Sequence, residues 1–395
     1  MSLGNNMILA SGAVIEPENV SVPVVTGTVE TGQTLTGTDG AWNTSGDFTR
    51  QWQRGSDATS WSNISGATNS TYVLTSNDAG YKFRFAVTLT NDAGTATANS
   101  VQTNTQAGQW YSTGSGSNTT WTAGPGVDTI SIFGVGQGGS GSSYCNQVTS
   151  GVGGGGGAAG YSNNVSVTPG QTYYVNFQEY HQSGQYGWSF YGYVNGITSS
   201  SAGQNAPESS YLFYMNSADN GSPTAGNTSK SKADTKNNGG NGSPNNSSAG
   251  GGAGGYSGAG GAGGSGNQTG GSAGSGGGGG GGCGMAAYAN GGGGGGPGGG
   301  GVGINGEGPS GAGGTWNSPL FEGGRGGSGG SDGGDATYQN TTSGKSGGNY
   351  GSGGGGGGAW YGWGPCSGAG QYAPAAIRII WGSGRAYPST NTADV

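Results

Sequence analysis

The residues that could carry catalysis are few and isolated. His181 is the one histidine, and the sequence places no partner beside it that would orient it in a Ser-His-Asp arrangement. Glycosidase chemistry needs two carboxylates at a set separation. The candidate acids occur singly or in loops: Glu179, Glu208, Glu307, Glu322, Asp332 and Asp335. The sequence therefore predicts a protein that is not an enzyme.

The motifs that hold metals, phosphates or disulfides are incomplete. Asp332-Gly-Gly-Asp335 supplies two carboxylates, whereas Ca²⁺ takes about six to eight oxygen ligands, so a solvated turn is expected. No glycine run ends in the Gly-Lys-Ser/Thr of a phosphate loop. Cys145, Cys283 and Cys366 are odd in number and far apart, which predicts free or occasionally paired thiols. We expect no cofactor and no metal.

Clustered aromatic residues are the stronger signal. They concentrate between Tyr173 and Tyr193, in Trp360-Tyr-Gly-Trp363 and in Thr315–Phe321. Flat rings beside amides and hydroxyls suit sugar rings and adaptable protein contacts. The alternative is that the rings plug the ends of a bundle that has few other core side chains. The candidate binding residues are Tyr186, Trp188, Tyr191, Tyr288, Trp316, Phe321, Trp360, Tyr361 and Trp363.

Low charge narrows the classes of partner. Only 7% of residues are charged, the net charge is −7, and Lys and Arg number 11 in all. Without a basic stripe to neutralise phosphates, nucleic-acid binding is not expected. No run reaches the about 18 apolar residues of a membrane span. Met1–Ala10 lacks the positive region and long apolar stretch of a signal peptide, so we expect neither membrane insertion nor Sec export.

Glycine makes up 101 of the 395 residues and concentrates between Gly239 and Gly370. Glycine loses the most backbone entropy on ordering and has no side chain to bury. The 10 Trp and 20 Tyr are too many for a plain linker, and collagen's strict three-residue repeat is absent. We favour a bundle of extended polyproline-II-like glycine strands, joined by backbone hydrogen bonds. A flexible linker or phase-separating segment is the alternative.

The first hundred residues read as an arm followed by a β-sandwich. Residues 1–19 form the arm, and residues 20–106 contain short alternating runs separated by turn residues. In the run Tyr81–Leu89, one face carries large apolar side chains and the other carries Lys82 and Arg84. Several such strands indicate an antiparallel β-sandwich. The predicted strands are Val29–Leu35, Phe48–Arg54, Tyr72–Thr75 and Tyr81–Thr90.

Specific motifs in this segment add a resemblance. Gly40-Ala-Trp42, Gln51-Trp-Gln53 and Asp78-Ala-Gly80 stand among them. The segment resembles the Ig-like domains of bacterial and phage surface proteins. The resemblance implies that Trp52 is the core tryptophan of strand C and that Tyr81 lies near the edge of strand F. It implies a spacer or weak binder without the disulfide of antibody domains.

Residues 107–395 read as a second, glycine-rich domain framed by strands. We divide it into a β-rich entry at 107–200, a polyglycine bundle with loop insertions at 239–370, and a closing strand and tail at 371–395. Strands are predicted at Thr129–Val135, at Ala375–Trp381, and on both sides of a type II turn at Pro169-Gly170. The fold class predicted for the whole chain is all-β plus a polyglycine/polyproline-II bundle: an Ig-like sandwich followed by a glycine-rich sandwich.

Three pieces of this domain add a second resemblance: Trp121–Ile132, Val165–Tyr173 and Ile377–Asn391. The layout resembles the glycine-rich domains of phage tail fibres, and the last piece is similar to the ends of structural proteins of marine phages. In the tail-fibre adhesins of T-even-type phages, polyglycine helices form a sandwich whose distal loops touch the host receptor. The resemblance implies that the insertions face a receptor.

These readings predict a non-enzymatic virion surface protein. The N-terminal region would attach to other virion proteins, and the insertion loops would contact a host glycan or protein. A homo-oligomer, with a trimer as the form common among fibres, is left open. The alternatives are capsid decoration or assembly without receptor binding, an ice-binding protein, and a disordered glycine-rich matrix protein. Ice binding needs a flat, regular face, which the irregular aromatic insertions disfavour.

Overall fold

A computed structural model describes most of the chain, and the described residues are all-β. They contain antiparallel sheets, one 3-10 turn at Ser76–Asp78 and no α-helix. The described residues are 14–57, 59–114, 118–142, 151–177, 189–191, 211–213, 215, 217–218, 223–226, 228, 231–244, 248–265, 268–284, 296–317, 320–337, 343–355 and 368–388.

The chain divides into two compact units. The first, unit 1, takes in the chain up to Ala107 together with Gly124–Val127, and the second, unit 2, takes in Gly108–Ala123 and the chain from Asp128 onward. Unit 1 contains three antiparallel sheets, in the orders β1-β4, β2-β3-β7 and β6-β5-β8-β9. Its strands are β1 Asn19–Ser21, β2 Val25–Thr26, β3 Thr34–Gly37, β4 Ala41–Trp42, β5 Asp47–Gly55, β6 Ser62–Asn63, β7 Thr71–Val73, β8 Lys82–Asn91 and β9 Gly94–Asn99.

The hydrophobic core of unit 1 is supplied by two of these sheets. Leu35 on β3 packs with Trp52 on β5 and with Phe83, Phe85 and Val87 on β8, all fully buried. The Trp52 and Phe85 rings lie 4.8 Å apart. The alternation expected for Tyr81–Leu89 is therefore confirmed, because apolar residues between the charged ones point inward.

One strand of unit 1 begins later than its sequence pattern predicts. The sequence pattern predicts a strand over the whole of Val29–Leu35, but β3 starts at Thr34. Gly32 has a φ of +81°, a left-handed conformation that turns the chain. The Glu30 N–H donates to Thr28 O, and the Gln33 N–H donates to Glu30 O. Local turn bonding therefore replaces the first half of the expected strand.

Unit 2 is framed by a five-stranded antiparallel sheet in the order β10-β21-β12-β13-β17. A four-stranded sheet, β11-β14-β15-β16, and a three-stranded sheet, β18-β19-β20, complete its strands. These are β10 Gly108–Gly114, β11 Asn118–Thr122, β12 Thr129–Val135, β13 Ala159–Ser166, β14 Thr172–Asn176, β15 Ser189–Tyr191, β16 Tyr211–Phe213, β17 Thr235–Asn237, β18 Trp316–Asn317, β19 Leu320–Phe321, β20 Ala336–Thr337 and β21 Ala375–Trp381.

The strands predicted at Thr129–Val135 and Ala375–Trp381 are confirmed as β12 and β21, and they pair with each other. The turn between β13 and β14 is also confirmed. Gly170 has a φ of +76°, and the Gln171 N–H donates to Thr168 O at 3.1 Å. The two flanking strands do not form a hairpin, because β13 has β12 and β17 on its two sides and β14 pairs with β11.

Candidate functional site

The glycine runs of unit 2 are ordered by backbone hydrogen bonds rather than by side chains. The Gly154 N–H donates to Gly354 O at 2.8 Å, the Gly251 N–H to Gly154 O at 2.9 Å, and the Gly353 N–H to Gly251 O at 2.9 Å. All four residues are buried. These residues come from three runs that are far apart in sequence, so the bonds tie separate runs into one body.

Residues that border several of the insertions lie together at one end of this body. The Gly370 N–H donates to Gly355 O, the Gly355 N–H to Lys345 O, and the Lys345 N–H to Gly296 O, at 2.8 to 2.9 Å. A backbone hydrogen bond between two adjacent runs joins residues at the same level along the axis of the body. The residues that flank several insertions therefore lie at one level.

Further bonds extend the same level across the body. The Gly250 N–H donates to Pro297 O and the Gly282 N–H to Gly250 O, while the Gly141 N–H donates to Gly370 O. We call this level the loop end; it is formed by residues 141–142, 151–152, 282–284, 296–297, 343–345, 355 and 368–370. Three stretches outside the described residues, 143–150, 285–295 and 356–367, are flanked on both sides by residues of the loop end, and 338–342 is flanked by it on its C-terminal side.

The opposite end of the body, the turn end, is closed by short turns. Gly276 and Gly277 have φ values of +49° and +76°, and Ser328 and Gly329 have φ values of +48° and +78°. The Ser328 hydroxyl donates to Gly277 O at 2.9 Å. Runs therefore reverse within a few described residues at this end, whereas residues that border several insertions lie at the loop end.

An aromatic cluster fills the turn end. Phe133 stacks on Tyr256 with the ring centroids 4.0 Å apart, and Tyr161 and Tyr387 lie against the same ring. The Tyr256 hydroxyl donates to Gly303 O and accepts from the Gly306 N–H. Burial raises the pKa of Tyr256 and of Tyr387 well above the ordinary value. These phenols stay protonated, and the cluster is a structural plug.

The described part of the chain contains three of the nine candidate binding residues. Trp316 lies on β18 with 41% of its surface exposed. Phe321 lies on β19 and is fully buried, in a small cluster with Cys283 and Ala336. Phe321 therefore packs and offers no contact surface. The backbone of Tyr191 belongs to β15. Outside the described residues lie Tyr186, Trp188, Tyr288, Trp360, Tyr361 and Trp363.

The backbone beside Trp316 is held in place by its neighbours. The Thr315 hydroxyl donates to Glu322 Oε2 at 2.6 Å, and the Glu322 N–H donates back to Thr315 O at 3.0 Å. The hydrogen bonds from Thr315 lower the pKa of Glu322. Glu322 also lies 3.7 Å from Arg325. Trp316 is thus an exposed ring on a fixed hairpin, and pairing of β18 with β19 sets its position.

The acids considered for metal binding have other partners. Asp332 pairs with Arg325 at 2.8 Å and accepts the Gly326 N–H, and Asp335 accepts the Gly323 N–H at 2.8 Å. Among the described residues there is no group of three or more side chains that could hold a metal ion. Burial raises the pKa of the Cys283 thiol to about 11. Glu179, His181, Glu208, Cys145 and Cys366 lie outside the described residues.

Comparison with known proteins adds no relative. No family model matches the chain, and neither a curated protein nor a solved structure matches it. Within the described part of the chain, no helix has the length and apolar character needed to cross a membrane.

Proposed function

We propose that this chain is a non-enzymatic bacteriophage virion surface protein of tail-fibre or adhesin type. Its glycine-rich unit presents insertion loops to the host surface. One observation carries the proposal: the residues that flank three insertions on both sides lie together at the loop end, while the described turns at the other end are short. Loops that leave one end of a body can meet a common ligand, whereas loops scattered over its sides cannot.

The proposal includes a finer description of the two units. Buried glycine runs without strand pairing that exchange N–H···O bonds with several neighbours support packing of the polyglycine-II type. In unit 1, antiparallel sheets that share a core around Trp52 support an Ig-like sandwich. We assign unit 1 a spacer or attachment role, with the N-terminal region contacting other virion proteins.

A hydrogen-bonded glycine body gives the loops a stiff base. Holding both ends of a loop reduces the conformational entropy lost on binding. The chain is only 7% charged, so the encounter does not depend on long-range electrostatic steering. The exposed Trp316 ring, beside Thr315 and Asn317, has the apolar face and polar neighbours that suit a glycan. A host surface glycan is therefore the proposed ligand class, with a surface protein as the alternative.

Cryo-electron microscopy of virions that carry this chain tests the placement. Density at a fibre tip, with the loop end facing outward, is expected. Density tiled on the capsid, or buried at a joint between virion parts, would instead assign a decoration or assembly role and remove the receptor hypothesis.

Adsorption competition tests the loop end directly. Purified chain should reduce virion adsorption to host cells, and replacing residues 356–367 by a short Gly-Ser linker should abolish that competition. Inserting the same linker at the Ser328-Gly329 turn is the matched control, because it alters the opposite end. Equal competition by both variants would contradict the proposal.

A further inference from the structure

The three arginines of unit 1 each lie over an aromatic ring, but their charges are compensated differently. Arg50 lies over Phe48 and pairs with Asp39 at 2.6 Å. Arg54 lies over Tyr81 and pairs with Asp78 at 2.8 Å. Arg84 lies over another ring and has no ion pair among the residues that the structure describes. Arg84 is therefore the one whose charge calls for a partner.

Two contacts hold the Arg84 guanidinium in place. Its Cζ lies 4.6 Å from the centroid of the Trp61 ring, and its Nε–H donates to Gln53 Oε1 at 2.6 Å. The Gln53 side chain is fixed in turn, because its Nε2 donates to Asn63 Oδ1 at 2.8 Å. The three residues Asn63, Gln53 and Arg84 are cross-strand neighbours on β6, β5 and β8. The guanidinium is thus oriented before any ligand arrives.

This arrangement leaves the planar edge formed by the two terminal nitrogens of Arg84 without a hydrogen bond to a described residue. A guanidinium has five N–H donors, and the Nε–H is the one bonded within the described residues. The remaining fork matches the two oxygens of a carboxylate. Burial lowers the pKa of Arg84, with no carboxylate contributing, yet an arginine remains charged in a protein.

From Ala86 to Thr88 this sheet face carries no charge and is rich in hydrogen-bonding groups, whereas Lys82 lies on the other side of Arg84. Because alternate residues of β8 share a face, Ala86 and Thr88 follow Arg84 along it. Ala86 pairs with Asn99 on β9, and Thr88 pairs with Thr97. The ring on this face, Trp61, is already covered by the guanidinium. An acidic protein loop would find no open aromatic anchor of the kind that centres protein interfaces, whereas sugar hydroxyls would find hydroxyl and amide partners.

We propose that this face of unit 1 binds an acidic saccharide, with Arg84 receiving the carboxylate of a uronic acid. Gln53 and Trp61 position the guanidinium, and Thr88, Thr97 and Asn99 face the hydroxyls of the sugar. The site is separate from the loop end and does not depend on the proposed function of unit 2.

Calorimetric titration of the purified full chain with a glucuronic acid tetrasaccharide tests the site. Arg84→Gln should weaken binding by at least about tenfold, as expected for losing charge-assisted hydrogen bonds. Arg84→Lys keeps the charge without the fork and should bind with intermediate affinity. Lys82→Gln is the matched control, since it removes a charge from the same face two residues away, and it should change affinity by less than about twofold. Thermal melts verify that each variant is folded.

Several results would overturn the proposal. These are no binding by the wild-type chain, equal binding of the carboxyl-reduced neutral tetrasaccharide, and an equal loss in Lys82→Gln and Arg84→Gln, which would indicate diffuse attraction. Equal or tighter binding of tetraglutamate would assign the carboxylate to a peptide partner and reject the saccharide.

Discussion

The two units of this protein fill their interiors in opposite ways. In unit 1, large side chains such as Trp52, Phe83 and Phe85 fill the space between sheets. In the glycine body, residues such as Gly154 and Gly353 let backbones approach until they bond directly. The comparison teaches that tolerance to substitution should be reversed between the units: removing atoms damages the first, and adding a single carbon damages the second.

The largest effect is expected from a truncation in unit 1. Trp52→Ala removes a fully buried ring and the hydrogen bond from its Nε1–H to Asn69 O at 3.0 Å. Such truncations lower the free energy of unfolding by about 3–5 kcal/mol. Chemical denaturation should show an earlier transition for unit 1 and an unchanged one for the glycine-rich unit. A comparable shift in both transitions would contradict the idea that the two cores are independent.

The converse substitution, which adds a carbon atom, tests the hydrogen-bonded glycine runs of unit 2. A Cβ at Gly353 would overlap the carbonyl oxygen of Gly154, and that carbonyl is backbone that cannot rotate away. Gly353→Ala should lower the free energy of unfolding by about 1–3 kcal/mol, the usual cost of overpacking. Gly368→Ala is the control, because a Cβ there meets nothing within 4 Å. If both variants melt alike, the close approach of the glycine runs does not limit stability.

The two units also differ in how they hold carboxylates, which gives a pH-dependent prediction. Burial opposes ionisation of Asp78, but hydrogen bonds from Thr75, Tyr72 and Arg54 outweigh it and hold its pKa below the ordinary value. A carboxylate with a lowered folded-state pKa stabilises the fold above its unfolded pKa of about 3.9. That contribution is lost as the pH falls through the lower, folded value. The free energy of unfolding of unit 1, measured by denaturant titration, should therefore fall less between pH 7 and values below about pH 4 in Asp78→Asn than in the wild-type chain.

At neutral pH, the stability cost of Asp78→Asn in unit 1 can be compared with that of a matched variant in unit 2. Asp78→Asn should lower the free energy of unfolding by about 1–3 kcal/mol, because a buried acceptor loses charge-assisted bonds. Asp332→Asn alters an exposed pair with Arg325 and should cost at most about 1 kcal/mol. Denaturant midpoints of the two variants at pH 7 give the comparison, and equal costs would show that burial of Asp78 is not what matters.

Sequence reasoning reached the strands more readily than the site. The run around Phe85 alternates between apolar and polar residues, and the run around Ile379 is mostly apolar. Both patterns predict a strand from the local sequence alone. The grouping of the loop-end residues could not be predicted in the same way. It follows from which carbonyl each glycine N–H meets, as for Gly355 and Lys345, and glycine carries no side chain to signal that choice. The burial of Phe321 was missed for a related reason, since its neighbours Cys283 and Ala336 are distant in sequence.

The smallest effect on stability is expected at the candidate contact surface. Trp316→Ala removes a ring that is 41% exposed and should change the free energy of unfolding by less than about 1 kcal/mol, whereas Phe321→Ala on the paired strand should cost about 3–5 kcal/mol. Adsorption competition by purified chain should nevertheless weaken in Trp316→Ala. If competition is unchanged while the fold is intact, Trp316 only covers the hairpin. If stability falls as far as in Phe321→Ala, the ring belongs to the core, and the distinction between a packing residue and a contact residue on this hairpin is lost.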